Sequence, residues 1–348
     1  MKKSIIVLVL LLSAVFLSPV RGEEPYSPFQ FSFVYPLGTN GKDAGEYTNG
    51  ASLNLLLGLS KNENNFALAG LSNVMSGYAR GMQIAGISNH VGGDGKGVAI
   101  AGVANTVVGS YKGVMLGGIW NKADSGSAGV AIGGMWNFAK GHFSGLQLAG
   151  LLNIAGDIDG VQFAGLVNKA GNVNGVQFAA LVNIAETSDC PIGLVNIIRN
   201  GEMGVALTYD LLGNAVVSFR SGGRYTYGIL GLGFNHKVKS GDKIVTEAGY
   251  GVHIPLTGWL QLNNEVKVTS VGAMSDDASS INVGYLLAPS FKLWRHFNLF
   301  GGPNINYFAS NSATAWDLLP SSYIWGKKHG EGARRVYIGF QAGVQYLF

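Results

Sequence analysis

Gly145-Leu-Gln-Leu-Ala-Gly-Leu-Leu-Asn153, Gly160-Val-Gln-Phe-Ala-Gly-Leu-Val-Asn168 and Gly175-Val-Gln-Phe-Ala-Ala-Leu-Val-Asn183 are three copies of one unit, and how they are read decides the fold. The unit recurs through more than a third of the chain. Its Asn anchors are Asn73, Asn89, Asn105, Asn121, Asn137, Asn153, Asn168, Asn183 and Asn196, at intervals of 16 five times, then 15, 15 and 13. A period of this length marks supersecondary units too small to fold alone, which bury their faces by stacking.

Numbered from the Gly, positions two, four and seven are apolar in every full copy (Val161, Phe163 and Leu166 in the sixth), nine is Asn and eleven is Val or Ala. Positions three, eight and ten vary. A strand alternates its side chains with period two, so taking the constant positions two, four, seven, nine and eleven as inward requires a parity break at Ala164-Gly165. This predicts two short strands joined by a corner, with Gly171 to Asn174 turning into the next coil, which is a β-solenoid. Coils stacked ~4.8 Å apart line the nine Asn into a ladder roughly 38 Å long. Each amide then partners the next, where an unpartnered buried amide would cost about 1 to 3 kcal/mol. The competing reading makes each unit one membrane-crossing antiparallel strand plus a turn, and the whole chain one large transmembrane β-barrel. Its length permits that, since such a strand needs about 9 to 11 residues.

The composition agrees with an all-β chain. Of 348 residues 53 are Gly, 47% are hydrophobic and 13% are charged, where globular averages are about 7% Gly and about 25% charged. Low charge with high hydrophobicity excludes a disordered chain. Residues 1–22 read as a secretory signal peptide, with Lys2 and Lys3, an apolar run from Ile5 to Leu17, and a small-residue cleavage site at Val20-Arg21-Gly22. Without Lys2, Lys3 and Arg21 the basic count falls from 24 to 21 against 20 acidic residues, a balance that offers no electrostatic footprint for nucleic acid. The single Cys190 excludes an internal disulfide framework.

The flanks carry a different pattern. Phe29, Phe31, Phe33 and Tyr35 alternate with Gln30, Ser32 and Val34, a strand with one aromatic face. After Asn196 longer strands are predicted over 224–234, 244–254, 259–268, 281–291, 297–308 and 335–348, with 309–332 as an exposed loop. The last ends on a face of Ile338, Phe340, Ala342, Val344, Tyr346 and Phe348. It resembles the C-terminal signal of bacterial outer-membrane β-barrels, of which Phe340, Val344, Tyr346 and Phe348 are the carriers. The expected architecture is therefore an all-β chain in which a Gly-rich, 15–16-residue-repeat β-solenoid (66–199) joins an antiparallel outer-membrane-type β-barrel or meander (200–348). Residues 23–65 are expected to supply N-terminal strands associated with the barrel.

Taken together, Phe31-Ser-Phe-Val-Tyr-Pro-Leu-Gly-Thr-Asn-Gly41, the Gly-Val-Gln-Phe-Ala-Gly-Leu-Val-Asn units, Pro191-Ile-Gly-Leu-Val-Asn196 and the terminal Gly-Val-Gln-Tyr-Leu-Phe348 resemble the surface-repeat-containing outer-membrane proteins of Bacteroides-type bacteria. The resemblance implies an envelope location and supplies no site residues. Units such as Gly97-Val-Ala-Ile-Ala-Gly102 are also similar to the β-roll heads of trimeric adhesins, over a short span.

No catalytic or metal constellation emerges. The six His are scattered singly, no His-Glu-x-x-His occurs, Gly141-His-Phe-Ser-Gly145 lacks nucleophile-elbow spacing, and Gly92-Gly-Asp-Gly-Lys-Gly97 lacks the ending of a phosphate loop. Asp276-Asp277 reads as a solvated turn. The expectation is a non-enzymatic, cofactor-free protein of the outer membrane and cell surface. It would contact outer-membrane lipid and present its repeat surface to a protein or glycan, with Trp120 and Trp136 as an exposed contact strip. A conduit for solutes and an envelope enzyme with a dispersed site are the alternatives.

Overall fold

The computed structural model describes residues 24–238, 243–272, 280–311, 318, 321–329 and 332–348. The expected leader and Asp276-Asp277 lie outside these residues. Residues 26–198 form a parallel β-solenoid, and residues 202–347 a closed antiparallel barrel of eight strands with one further hairpin strand.

Each coil has two short strands, Ile158–Ala164 and Val167–Lys169 in the sixth unit. Equivalent residues of successive units pair in parallel: Gln147 with Gln162 and Gln177, Asn153 with Asn168 and Asn183. Parallel pairing rules out the single large barrel, whose neighbouring strands would run antiparallel. The two fixed glycines of the unit have separate causes. The first, from Gly97 to Gly175, has φ of 123° to 139°, a region open to Gly and closed to side chains. The second, at the corner, is Gly in every full copy but the seventh, which has Ala180: a Cβ on Gly165 would strike the carbonyl oxygen of Gly150, and one on Gly150 that of Gly134.

Of the five positions expected inside, nine and eleven are buried and two, four and seven are not. Val161, Phe163 and Leu166 are 37%, 45% and 41% exposed, whereas Gln162 and Asn168 are fully covered. The reason is the thinness of the coil beside the corner. Asn153 spans the interior and donates at 2.8 Å to the carbonyl of Phe163 on the facing strand, so a short amide already bridges the walls and a Leu or Phe has no room. Large side chains enter only at the opposite edge, where Tyr111, Phe143 and Ile158 are buried among Met115, Ala131 and Ala155. There size alternates: the Tyr111 ring lies where a Cβ on Gly95 would be.

The Asn form a continuous ladder. Each Nδ2 donates to the Oδ1 of the next coil at 2.8 to 3.0 Å, from Asn73 to Asn89 through to Asn183 to Asn196. Asn54 extends it by one step, donating to Asn73 and occupying the space left by Gly58. A second ladder at position three runs the other way, Gln177 to Gln162 to Gln147, at 2.9 Å each.

Tyr26–Val34 pairs in parallel with Thr48–Ser60 and is the first rung of the solenoid, with Gln30 and Ser32 buried. The N-terminal strands thus belong to the solenoid sheet rather than to the barrel, because the amide ladder needs a polar end, and Ser32 and Gln30 donate to Asn54.

The barrel runs Glu202–Asp210, Asn214–Gly222, Thr226–Asn235, Ile244–Pro255, Leu260–Val271, Ser280–Trp294, Phe297–Ser310 and Gly332–Leu347, and closes by pairing Gly204 with Leu347. The expected loop 309–332 contains another strand, Trp325–His329, which pairs with the last strand beyond the point where the first one ends. Its residues read Trp-Gly-Lys-Lys-His, with no alternation of apolar and polar, so no period-two signal marks it.

Asn153→Leu removes the two short bonds donated to Phe163 and Asn168, a longer one to Gln147 at 3.5 Å, and the one accepted from Asn137. At about 1 kcal/mol for each of the shorter bonds, the solenoid is expected to lose about 3 kcal/mol, read as a lowered thermal transition of the full chain with the barrel intact. A loss under about 0.5 kcal/mol contradicts the ladder's role.

Candidate functional site

Three places hold chemistry: the barrel lumen, the barrel exterior and the distal end of the solenoid. In the lumen, Arg220 makes a fork with Glu265, Nη1 to Oε1 at 2.7 Å and Nη2 to Oε2 at 3.2 Å, and Tyr227 donates to the same carboxylate at 2.8 Å. Lys267 Nζ lies 3.2 Å from Glu247 and 3.5 Å from Glu265, and donates to Gln341 at 2.6 Å. Two cations thus face two anions, and the Arg220 guanidinium lies 4.3 Å from the centre of the Phe300 ring. Toward one end the His253 ring stacks on Tyr227 at 4.1 Å, and toward the other Tyr337, Asn282, Asn306 and Asn304 form a hydrogen-bonded chain. The void bounded by Asp210, Glu247, Lys267, Asn306 and Gln341 is about 10 Å³, room for no more than about one water. Eight strands give an interior that side chains just fill, as they do around this void, and a wider void of about 190 Å³ lies at the end that holds Glu202, among Gln261, Ser290, Asn298 and Leu347. Sequence reasoning missed this network, although its signal is present: Asn263, Glu265, Lys267 and Thr269 alternate with Asn264, Val266 and Val268 along one strand.

Outside, the polarity is reversed. Leu232, Phe234, Val266, Val268, Ile305 and Ile338 are all exposed. Phe340, Val344, Tyr346 and Phe348 of the terminal segment face outward with them. Aromatic rings gather at one end: Trp259 on Phe291, Trp294 edge-on to Phe297, and Phe297 and Phe348 edge-on to Tyr346.

The solenoid meets the barrel at the hairpin after Asn214–Gly222. Asn196 donates its Nδ2 to the carbonyl of Ser221 and its backbone N–H to Ser221 Oγ. Tyr225 N–H bonds to the Asp189 carbonyl and Thr226 Oγ1 to that of Pro191, so the start of Thr226–Asn235 runs alongside Thr187–Ile192 as the next rung. Trp120 and Trp136 are register partners on adjacent coils. Both are half-buried against neighbouring coils rather than standing clear as a strip.

At the far end Glu63 is 2% exposed. Ser52 Oγ and Asn49 Nδ2 donate to its Oε1 at 2.5 and 3.1 Å, and no cation pairs with it among the described residues. Burial pushes its carboxyl up to about 7, against the pull of those two hydrogen bonds. Among the described residues no group of three His, Cys, Asp or Glu is placed to hold a metal ion. No family model matches the chain, and neither a curated protein nor a solved structure does.

Two measurements follow from these clusters. The folded state holds the Glu63 proton more tightly than the unfolded chain, so stability is full below about pH 4.5 and falls as pH rises to about 7, by about 3 kcal/mol in all. In Glu63→Gln that slope is expected to vanish, and its persistence would show that another group is responsible. Arg220→Ala leaves the buried Glu265 with Lys267 as its remaining cation and the Tyr227 hydroxyl as a donor, and is expected to cost about 3 to 5 kcal/mol in detergent unfolding. The double change Arg220→Met/Glu265→Leu is expected to recover most of that, and equal losses in the two variants count against the pair.

Proposed function

We propose that the chain is a non-enzymatic outer-membrane protein in which a filled barrel anchors a solenoid that offers a repeat β-surface for binding. The observation that carries this reading is the inverted polarity of the barrel, with ion pairs and amides inside and Leu, Val, Ile and aromatic side chains outside. In water such a wall would expose an apolar area far above that of ordinary monomers; in lipid it is the expected surface, with an aromatic girdle at the boundary. Strands of 9 to 16 residues meet the length a tilted crossing needs.

The same topology orients the molecule. Connections 223–225, 256–259 and 295–296 lie at the end that holds Glu202, Phe348 and the solenoid, whereas the opposite end carries 236–243, 272–279 and 311–324 beside the short 211–213. Outer-membrane barrels keep short turns on the periplasmic side and longer loops outside. The proposed location of the solenoid is therefore periplasmic, unlike the cell-surface display expected from the sequence. The small void and neutralised charges of the lumen favour the anchor over the conduit.

The anchor reading is tested with the purified chain and in cells. Folded protein is expected to migrate anomalously on gels until boiled, and to give no conductance steps in planar bilayers. In a Cys190→Ser background, Tyr323→Cys is expected to react with an impermeant maleimide on intact cells, and Lys140→Cys only after the outer membrane is opened. Stable open-channel steps would restore the conduit, and labelling of Lys140→Cys on intact cells would reverse the orientation.

A further inference from the structure

Two outward rows of the solenoid, those of positions two and four, are apolar from one end to the other. Through the pairings of successive rungs, Phe29 continues the row of Ala51, Phe66 and Met82, and Phe31 that of Leu53, Leu68 and Ile84. At the tip this face is aromatic: Phe29, Phe31 and Phe33 are 52%, 42% and 51% exposed. Three to five rungs further along, just before the first Gly of three consecutive units, stand Arg80, Lys96 and Lys112, in register on adjacent strands. No ion pair joins any of the three to a carboxylate among the described residues. Within the fold Arg80 lies 4.6 Å from the centre of the Tyr78 ring and Lys112 acts on the Asp94 carboxylate; stacked ~4.8 Å apart the three cations still repel one another, a cost that an anionic surface facing the row would relieve.

We propose that the distal end of the solenoid is a second membrane-contact patch, which lays Phe29, Phe31 and Phe33 and the cationic ladder of Arg80, Lys96 and Lys112 on the anionic headgroups of the bilayer that holds the barrel. This rests on the anchor reading of the barrel. Two features single out a lipid surface as the occupant. Aromatic rings at the tip and a row of cations further along the same apolar face match the layered chemistry of a bilayer boundary, where rings sit at headgroup depth and each Lys or Arg near an anionic surface adds attraction. The junction also turns the coils toward that boundary. Thr226–Asn235 starts as the next rung of the solenoid, and rungs stack perpendicular to their strands, so the coils lead sideways from the barrel wall rather than prolonging it. From the first rung to the last the stack spans roughly 48 Å, at ~4.8 Å per step. The molecule is thus held at two points, with apolar rows between them.

The test uses the full mature chain with Cys190→Ser, reconstituted in vesicles of phosphatidylcholine with or without phosphatidylglycerol. A polarity-sensitive fluorophore is attached at Phe31→Cys or, on the opposite face, at Lys169→Cys, and quenched by lipids spin-labelled near the headgroup. Heat-modifiable migration is recorded for each sample. The expected result is quenching at position 31 at least threefold that at 169 in anionic vesicles, reduced to the level of 169 by Arg80→Glu/Lys96→Glu/Lys112→Glu or by about 0.5 M salt. Equal quenching at the two positions with the gel shift intact overturns the patch and leaves the anchor standing. Loss of the gel shift itself overturns the anchor. Crosslinking of position 31 to a second copy in place of quenching assigns the face to a dimer and also overturns the proposal.

Discussion

The amide ladder inside the solenoid is the constraint from which the rest follows. A primary amide has two donors and a carbonyl acceptor. In the coil each Asn spends one donor on the next Asn and one on the facing backbone, and it accepts from the Asn before. The arrangement works only if the walls are close enough for a two-carbon side chain to bridge them. Close walls in turn exclude large apolar residues from that edge and send positions two, four and seven outward. The greasy exterior is therefore a consequence of the polar interior.

Such a ladder needs ends. At the first rung Ser32 and Gln30 supply donors to Asn54, and at the last Asn196 finds the backbone and hydroxyl of Ser221 in the barrel. The barrel strand beginning at Thr226 meanwhile gives the final coil a neighbouring rung. The barrel is thus part of the solenoid's covalent and hydrogen-bonded closure as well as the body of reversed polarity that a bilayer would hold. Its own interior follows the same rule of mutual satisfaction, with Arg220, Glu265, Lys267 and Glu247 neutralising one another where a lone charge would be untenable.

The period, the corner and the existence of two bodies were legible in the residues, because the 16-residue spacing and the parity break at Ala164-Gly165 have few structural solutions. The direction of the side chains was not. Assigning the constant apolar positions to the inside follows the habits of water-soluble cores, and that assumption fails where an interior is thin and polar. Six of the barrel strands carry a clear alternation. Glu202–Asp210 and Asn214–Gly222 were passed over because they follow directly on the last repeat, where the change of period hides their start. The lumen charges stood in plain alternation, but nothing local says that Arg220 and Glu265, 45 residues apart, meet across a closed wall.

The Asn donors all point toward the barrel, while the Gln donors of the neighbouring row point away from it. Every interior coil therefore presents the same Asn donor and acceptor to the coil on either side, and Gln147, Gln162 and Gln177 add the opposed pair over three coils. A coil can be gained or lost without altering either terminus, provided a whole unit is exchanged. Chain length in this domain is thereby convertible into reach in increments of one rung spacing, which makes it a ruler that duplication can lengthen without redesigning the parts it joins.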